Sequence, residues 1–258
     1  MYERTPAVCR GLGINWIVSC LVSVFHLGGG FVLRAFEVSP AVHTFQAGKQ
    51  MQPQFFQVEN PASTPLVLEV APRLVSYTFD GREKLTPATN VFQVFPSKLV
   101  VPPNGKQRVR ISMLDPKSIG EDRLYRVVFK DLPVTIGPGG TNSGMKLTTE
   151  YHQLVTVRGA KTKASVVLES AGPAQGTNAE LKGKMEVVVR NQGNGFARLS
   201  GLKGRLPYGD GSGTGTFRVD TTLVTNLSKL LLLPGDRRRL LFPLVEGQPF
   251  PAEVEVEL

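Results

Sequence analysis

Cysteine is almost missing from this chain of 258 residues: Cys9 and Cys20 are the only two, and both lie within the first 20 positions. Everything downstream must hold together without a disulfide, and no thiolate-based zinc site can form there. Histidine is nearly as scarce, and beyond the N-terminal stretch only His43 and His152 remain. Both fall on strand-like stretches, where exposed side chains are expected and a ligand set is not. Neither a nucleophile elbow nor a phosphate-cradling glycine loop occurs. GPGG (137–140) and GDGSGTG (209–215) are glycine-rich, but neither lies between a strand and a helix, so they read as loops. Acidic residues scatter along strand edges and turns, with nothing tying two of them into an acid/base pair. The reading is a protein without a cofactor or a metal, and not an enzyme.

A long helical stripe is also lacking after residue 36. With 27 glycines and 19 prolines, 41% hydrophobic and 20% charged residues, the composition is that of a globular, turn-rich all-β protein. The N-terminus is different. Arg4 and Arg10 precede the apolar stretch IVSCLVSVFHL (17–27), followed by GGG and then FVLRA. Basic, apolar, then small-residue is the order of a secretory signal, with cleavage expected after Ala35. The apolar stretch is short for a spanning helix, so no stable membrane anchor is expected in the mature form. Ile17-Val18-Ser19-Cys20 resembles a lipoprotein box, but apolar residues continue to Leu27.

The formal charge is +9, and removing residues 1–35, with three arginines against one glutamate, leaves +7. Such a surface suits nucleic acid, anionic lipid, an acidic partner, or only solvent. The basic residues alternate along strands instead of forming a tail, and no nucleic-acid motif appears.

Short strand-like runs recur from residue 36: FEVSP (36–40), FFQVEN (55–60) and LVLEVAPRLVSYTF (66–79), the last closed by Asp80-Gly81, a hairpin cue. VFQVFPSKLVVPPNGKQRVRISML (91–114), GEDRLYRVVFKDLPV (120–134) and MKLTTEYHQLVTVR (145–158) follow. About seven strands in some 120 residues is the spacing of an immunoglobulin-like sandwich. After Arg158-Gly159 a second set begins: ASVVLES (164–170), KMEVVVRNQGNGFARLSGLKG (184–204), TFRVD (216–220), LLLLPGDRRRLLFPL (230–244) and AEVEVEL (252–258). The expected architecture is all-β: a cleaved signal peptide (1–35), then two immunoglobulin-like β-sandwich domains (36–158 and 159–258). An L or boomerang arrangement with an inter-domain cleft is expected.

The runs F-Q-V-F-P, K-L-V-V-P-P-N-G-K-Q-R-V-R-I and L-Y-R-V-V-F within residues 92–129 resemble the PapD-like periplasmic chaperones of the chaperone–usher pathway. FEVSP, VENPASTPLVLEV and N-Q-G-N-G-F-A-R-L (191–199) add to the match, which covers residues 36–258 and is strongest in the first sandwich. The pairing of LYRVVF with KLTTEYHQLVTV looks most like the alternative branch serving colonisation-factor fimbriae. The resemblance implies a protein of the Gram-negative periplasm that folds and caps pilus subunits by lending them a strand, called G1. It also implies delivery of the subunit to an outer-membrane usher. The glycine-rich run 135–144 then matches the family's connection before the donor strand.

Here G1 corresponds to residues 145–158. Alternation places Met145, Leu147, Thr149, Tyr151, Gln153, Val155 and Val157 on one face. That face is expected to meet the subunit groove near its start and this chain's own core near its end, with a bulge near His152 able to switch faces. On the preceding strand Tyr125, Val127 and Phe129 are expected inside, and Arg126, Val128 and Lys130 outside.

The family's best-known members hold the subunit's terminal carboxylate between an Arg of the first strand and a Lys of G1. The matching places here carry Val42 or His43, and Leu154, so that pair does not transfer. Arg158, at the end of G1, is the carboxylate-anchor candidate, with Arg73 and Lys161 as alternatives and with Arg126 and Lys161 as basic contacts. Pilus subunits and an usher are the expected partners, nucleic acid is not, and an apolar donor edge would favour self-association of the free protein. Two other readings stay open: a secreted Ig-like adhesin or structural pilus component, and a PapD-like binder without pilus clients. The lone tryptophan, Trp16, lies in the signal segment, which weighs against a sugar-binding surface.

Overall fold

The computed structural model describes residues 36–47, 52–115, 119–132, 148–175, 181, 183–207, 214–220, 230–243 and 253–257. The signal segment, the 135–144 run, Met145 and Leu147 lie outside the described residues. All regular structure described is β-strand, in open sheets.

The first ten strands are β1 (Glu37–Ser39), β2 (Val42–Gln46), β3 (Gln54–Glu59), β4 (Leu66–Tyr77), β5 (Glu83–Pro87), β6 (Phe92–Phe95), β7 (Lys98–Val101), β8 (Lys106–Met113), β9 (Arg123–Asp131) and β10 (Glu150–Arg158). One sheet runs β1-β3-β8-β6, and the facing one β2-β10-β9-β4-β5 with β7 also on β4. Two stretches of the sequence are each split between the sheets. FEVSPAVHTF changes sheet at Pro40 between β1 and β2, and VFQVFPSKLVV does so at Pro96 between β6 and β7. Proline has no N–H for a ladder, so a strand can leave its partner there without stranding a donor.

Between the sheets lies a core that includes Phe56, Val58, Leu68, Val109, Ile111, Val127, Phe129, Val155 and Val157, each fully buried. Rings meet edge-on within it, as Phe56 on Phe129 at 5.4 Å and Phe92 on Tyr125 at 4.9 Å. The Asp80-Gly81 cue is a hairpin between β4 and β5, with Gly81 at φ 80°, where a residue with a Cβ would be strained.

The remaining strands are β11 (Val166–Pro173), β12 (Lys184–Asn191), β13 (Ala197–Arg198), β14 (Gly201–Pro207), β15 (Thr214–Asp220), β16 (Leu231–Leu232), β17 (Arg237–Pro243) and β18 (Glu253–Glu257). They pair only among themselves, as β11-β12-β17, β13-β16 and β15-β14-β18. Met185, Val187, Val189, Leu232, Leu240 and Phe242 belong to their separate core.

Both sandwiches use one device at the end of an inner strand. Asn60 Nδ2 donates to the Thr64, Val101 and Pro102 carbonyls while its Oδ1 accepts from Ala62 N. Asn191 Nδ2 donates to the Gly195, Leu232 and Leu233 carbonyls while its Oδ1 accepts from Gly193 N. Each buried amide thus satisfies backbone groups of a turn that has left its ladder. The glycines of NQGNG follow from close approach: a Cβ on Gly193 would lie 2.3 Å from the Lys163 carbonyl oxygen.

Two clips join the sandwiches. At the hinge, buried Asp122 accepts from Gly159 N at 3.0 Å and Phe196 N at 2.9 Å, and the Arg158 guanidinium lies 3.3 Å away. Further out, Arg239 Nε donates to Asp80 at 2.9 Å, its backbone N donates to the Phe79 carbonyl, and Arg237 stacks on the Phe79 ring at 5.0 Å. Arg238, fully buried, lies over the Tyr77 ring and donates to Asp236. Burial pushes the Asp236 carboxyl up and the Arg238 guanidinium down, against their mutual attraction, so desolvation offsets the gain from the ion pair. Leu231, Leu233 and Phe196 pack with Val75, Leu124 and Leu154 between the two clips. Asp122→Ala strands two backbone donors beside a cation and is expected to cost about 2–4 kcal/mol, read as a lowered urea midpoint; Asp122→Asn keeps an acceptor and should lose less.

Candidate functional site

β10 is flanked unevenly. From Glu150↔Lys130 to Val157↔Arg123 it pairs antiparallel with β9. On its other side β2 joins in parallel only from Leu154↔Val42 onward, with Leu154 N donating to the Ala41 carbonyl. The edge of residues 150–153 therefore has no strand partner among the described residues. An unpaired strand edge is a template for another strand, and proteins usually blunt or cover it.

The β9–β10 register runs without a shift through His152, so no bulge turns the strand there. One face points inward throughout. Val155 and Val157 are fully buried, Gln153 is 7% exposed, and Tyr151 is half-buried with its ring edge-on to Phe36 at 4.7 Å. Gln153 does not interrupt the pattern by leaving it: its Nε2 donates to the Val38 carbonyl at 2.8 Å. Thr149, also half-buried, continues the line, and its carbonyl accepts from Asp131 N. On β9 Tyr125, Val127 and Phe129 are buried, Arg126 and Val128 half-buried, and Lys130 exposed, as alternation requires.

The opposite face of this sheet is turned toward the second sandwich near Leu154. A single row crosses it: Val42, Leu154, Arg126 and Arg73 are successive register partners on β2, β10, β9 and β4. An apolar pair thus occupies the places where the resemblance would put a cationic pair. Two arginines follow in the same row on the next two strands. Like charges directly opposite each other repel unless neutralised. Glu83 neutralises Arg126 through a two-point fork at 3.2 and 3.0 Å. No such carboxylate reaches Arg73 among the described residues. Arg73 lines a shallow pocket of about 140 Å³ with Glu69, Lys130, Glu150, His152 and Leu85 among others.

Of the other sequence candidates, Arg158 is already engaged: beside its ion pair with Asp122, its guanidinium lies 5.2 Å over the Phe196 ring. Lys161 is exposed on a turn, where its carbonyl accepts from Asn194 Nδ2. His43 is half-buried instead of exposed, hydrogen-bonded to the Phe55 carbonyl and edge-on to Phe56. His152 is exposed beside Glu150. Sequence reasoning missed Glu83, Asp122 and the grip of Arg237–Arg239 on Tyr77–Asp80; the RRR triplet was the visible signal for the last.

No family model matches the sequence, and no curated protein sequence matches it. Solved structures do. The class 5 fimbriae chaperone CfaA is 12% identical, with TM-score 0.53, over 87% of this chain and 99% of that one. A chain of the CsuC–CsuE chaperone–tip adhesion subunit pre-assembly complex of Acinetobacter baumannii is 14% identical, with TM-score 0.55, over 86% and 92%. A chain of the Salmonella enterica SafA pilin–SafB chaperone complex is 16% identical, with TM-score 0.51, over 87% and 95%. At such identities the likeness is one of fold: two open immunoglobulin-like sandwiches, as in fimbrial chaperones.

The edge strand also carries a titrating marker. The Lys130 ammonium, 3.1 Å away, and then His152 hold the Glu150 carboxyl below its usual range. A depressed carboxylate favours the folded state above its unfolded pKa, and that benefit fades as pH falls through the folded pKa. NMR titration of the Glu150 side chain should give a midpoint below 4.5 that rises in Lys130→Met.

Proposed function

We propose that this chain is a periplasmic chaperone of a Gram-negative bacterium that folds and caps fimbrial subunits by donating a strand and hands them to an outer-membrane usher. The signal-like N-terminus is the basis for export, and the division into a donor domain (36–158) and a second domain (159–258) belongs to the same reading. The observation that carries it is β10 itself. Its end is locked into this chain's core by Val155 and Val157, while residues 150–153 keep one backbone edge without a strand partner among those described. Main-chain bonds along such an edge give affinity, and alternating side chains seated in a groove give specificity. The chaperone–subunit complexes among the similar folds support this reading.

The client's terminal carboxylate would then be held by Arg73. Arg126 and Arg158 are each already matched by a carboxylate, whereas Arg73 has none among the described residues. A basic surface overall would steer acidic clients, in a salt-sensitive way.

A second reading, a secreted Ig-like adhesin, draws on the outer face of the β1-β3-β8-β6 sheet. There Phe55 and Phe95, 42% and 64% exposed, flank Arg110 in one row. Export of the chain with fimbrial subunits from its own genome, followed by co-purification, separates the two. The expected result is a 1:1 complex that Leu147→Asp abolishes, that Arg73→Glu weakens by about tenfold or more, and that Arg158→Ala weakens less while lowering thermal stability. If wild type captures nothing, or Leu147→Asp captures equally well, strand donation is wrong and the adhesin reading leads.

A further inference from the structure

Along the inner face of β10 three apolar residues and one amide alternate, and the amide is the puzzle. A valine at position 153 would match Val155 and Val157 and need no partner. Gln153 is instead buried and directed at a single acceptor, the Val38 carbonyl at 2.8 Å. Val38 belongs to β1, a strand of the facing sheet, so this bond ties the two sheets together at their common edge. Phe36 adds a second point of contact by packing edge-on against Tyr151. Residues 36–38 therefore lie along the inner side of 151–153, and four residues later, at Val42, β2 takes over the ladder at Leu154.

We infer that Gln153 is a positioning residue that marks where the donated part of the strand ends, an inference that rests on the strand-donation reading above. A slip of β10 by one residue would turn Gln153 to the outer face and push Leu154 inward, leaving the Val38 carbonyl without its donor. A buried polar group with one matched partner penalises every register but one, which an apolar side chain at the same place does not. The inner side of Gln153 stays covered by Val38 of β1, and Tyr151 stays against Phe36 just before it. A client then receives its groove-filling side chains from the residues before Tyr151, while pairing with the open backbone edge as far as Gln153.

Amide exchange on the full exported chain, with and without a captured fimbrial subunit, tests this. In free Gln153→Val the amides of 37–39 should lose about tenfold in protection while those of 155–157 keep theirs, and the unfolding midpoint should hardly move. In Gln153→Glu the carboxylate cannot donate, and burial raises its pKa above the unfolded value. Protection of 37–39 should therefore be present in acid, above the level in Gln153→Val because the protonated carboxyl can donate, and be lost as pH rises through that folded pKa; a packing role alone would not lift it above Gln153→Val. In the wild-type complex, newly protected amides should stop at Gln153 with 37–39 unchanged, and Gln153→Val should give a shifted or mixed window. Unchanged protection of 37–39 in free Gln153→Val overturns the clasp. Loss of that protection when wild type binds a subunit makes β1 a displaceable cover and overturns the boundary. Failure to capture any subunit removes strand donation itself, and the exchange of the free variants reports separately whether the clasp exists.

Discussion

A backbone edge taken out of water must find partners for its N–H and C=O groups, and along β10 the described residues meet that requirement on both sides for only part of the strand. Among the described residues β10 is flanked on both sides from Leu154 to Val157 and on one side before that. The buried valines at its end, the amide of Gln153 in its middle and the ion pair of Glu150 at its start are three answers to one constraint. The first anchors the strand, the second ties it to β1, and the third places paired charges on the open part. Each unpaired group in such an edge represents a modest net free energy, but a row of them meeting a complementary edge acts together.

The electrostatics follow from the same geometry. Where neighbouring strands place Arg73 opposite Arg126, one is tied to Glu83 and the other faces a pocket lined by Lys130 and His152 and by Glu69 and Glu150. At the hinge the opposite solution holds: Asp122 is buried because backbone donors and Arg158 satisfy it. Cations that look interchangeable in the sequence thus have distinct duties.

How much was legible beforehand varied with the range of the interaction. Period-two alternation placed Tyr125, Val127 and Phe129 inside and Arg126 outside, and the turn signals separated two sandwiches. The sheet changes at Pro40 and Pro96 were hidden, because a proline between two apolar runs reads the same whether the chain continues or crosses. The duty of Gln153 was hidden for a related reason: alternation gives its face but not the carbonyl it meets, which belongs to a residue 115 positions earlier. Arg239 and Asp80 lie 159 positions apart, and no local pattern encodes such a pair. The paired turn amides were within reach, since V-E-N and V-R-N end equivalent strands, yet one matched triplet means little until the carbonyls around it are seen.

The two clips between the sandwiches also have a mechanical meaning. One pin alone would be an axle about which the second sandwich could swing. Asp122 at the hinge and Asp80 at the hairpin tip, held by residues from separate parts of the second sandwich, form a bracket that resists torque. A pull applied to β10 along its length would then be borne as shear across many backbone bonds at once. A peeling force at its open end would meet them singly. The direction of pulling, more than its strength, would decide whether a strand laid along that edge stays or leaves.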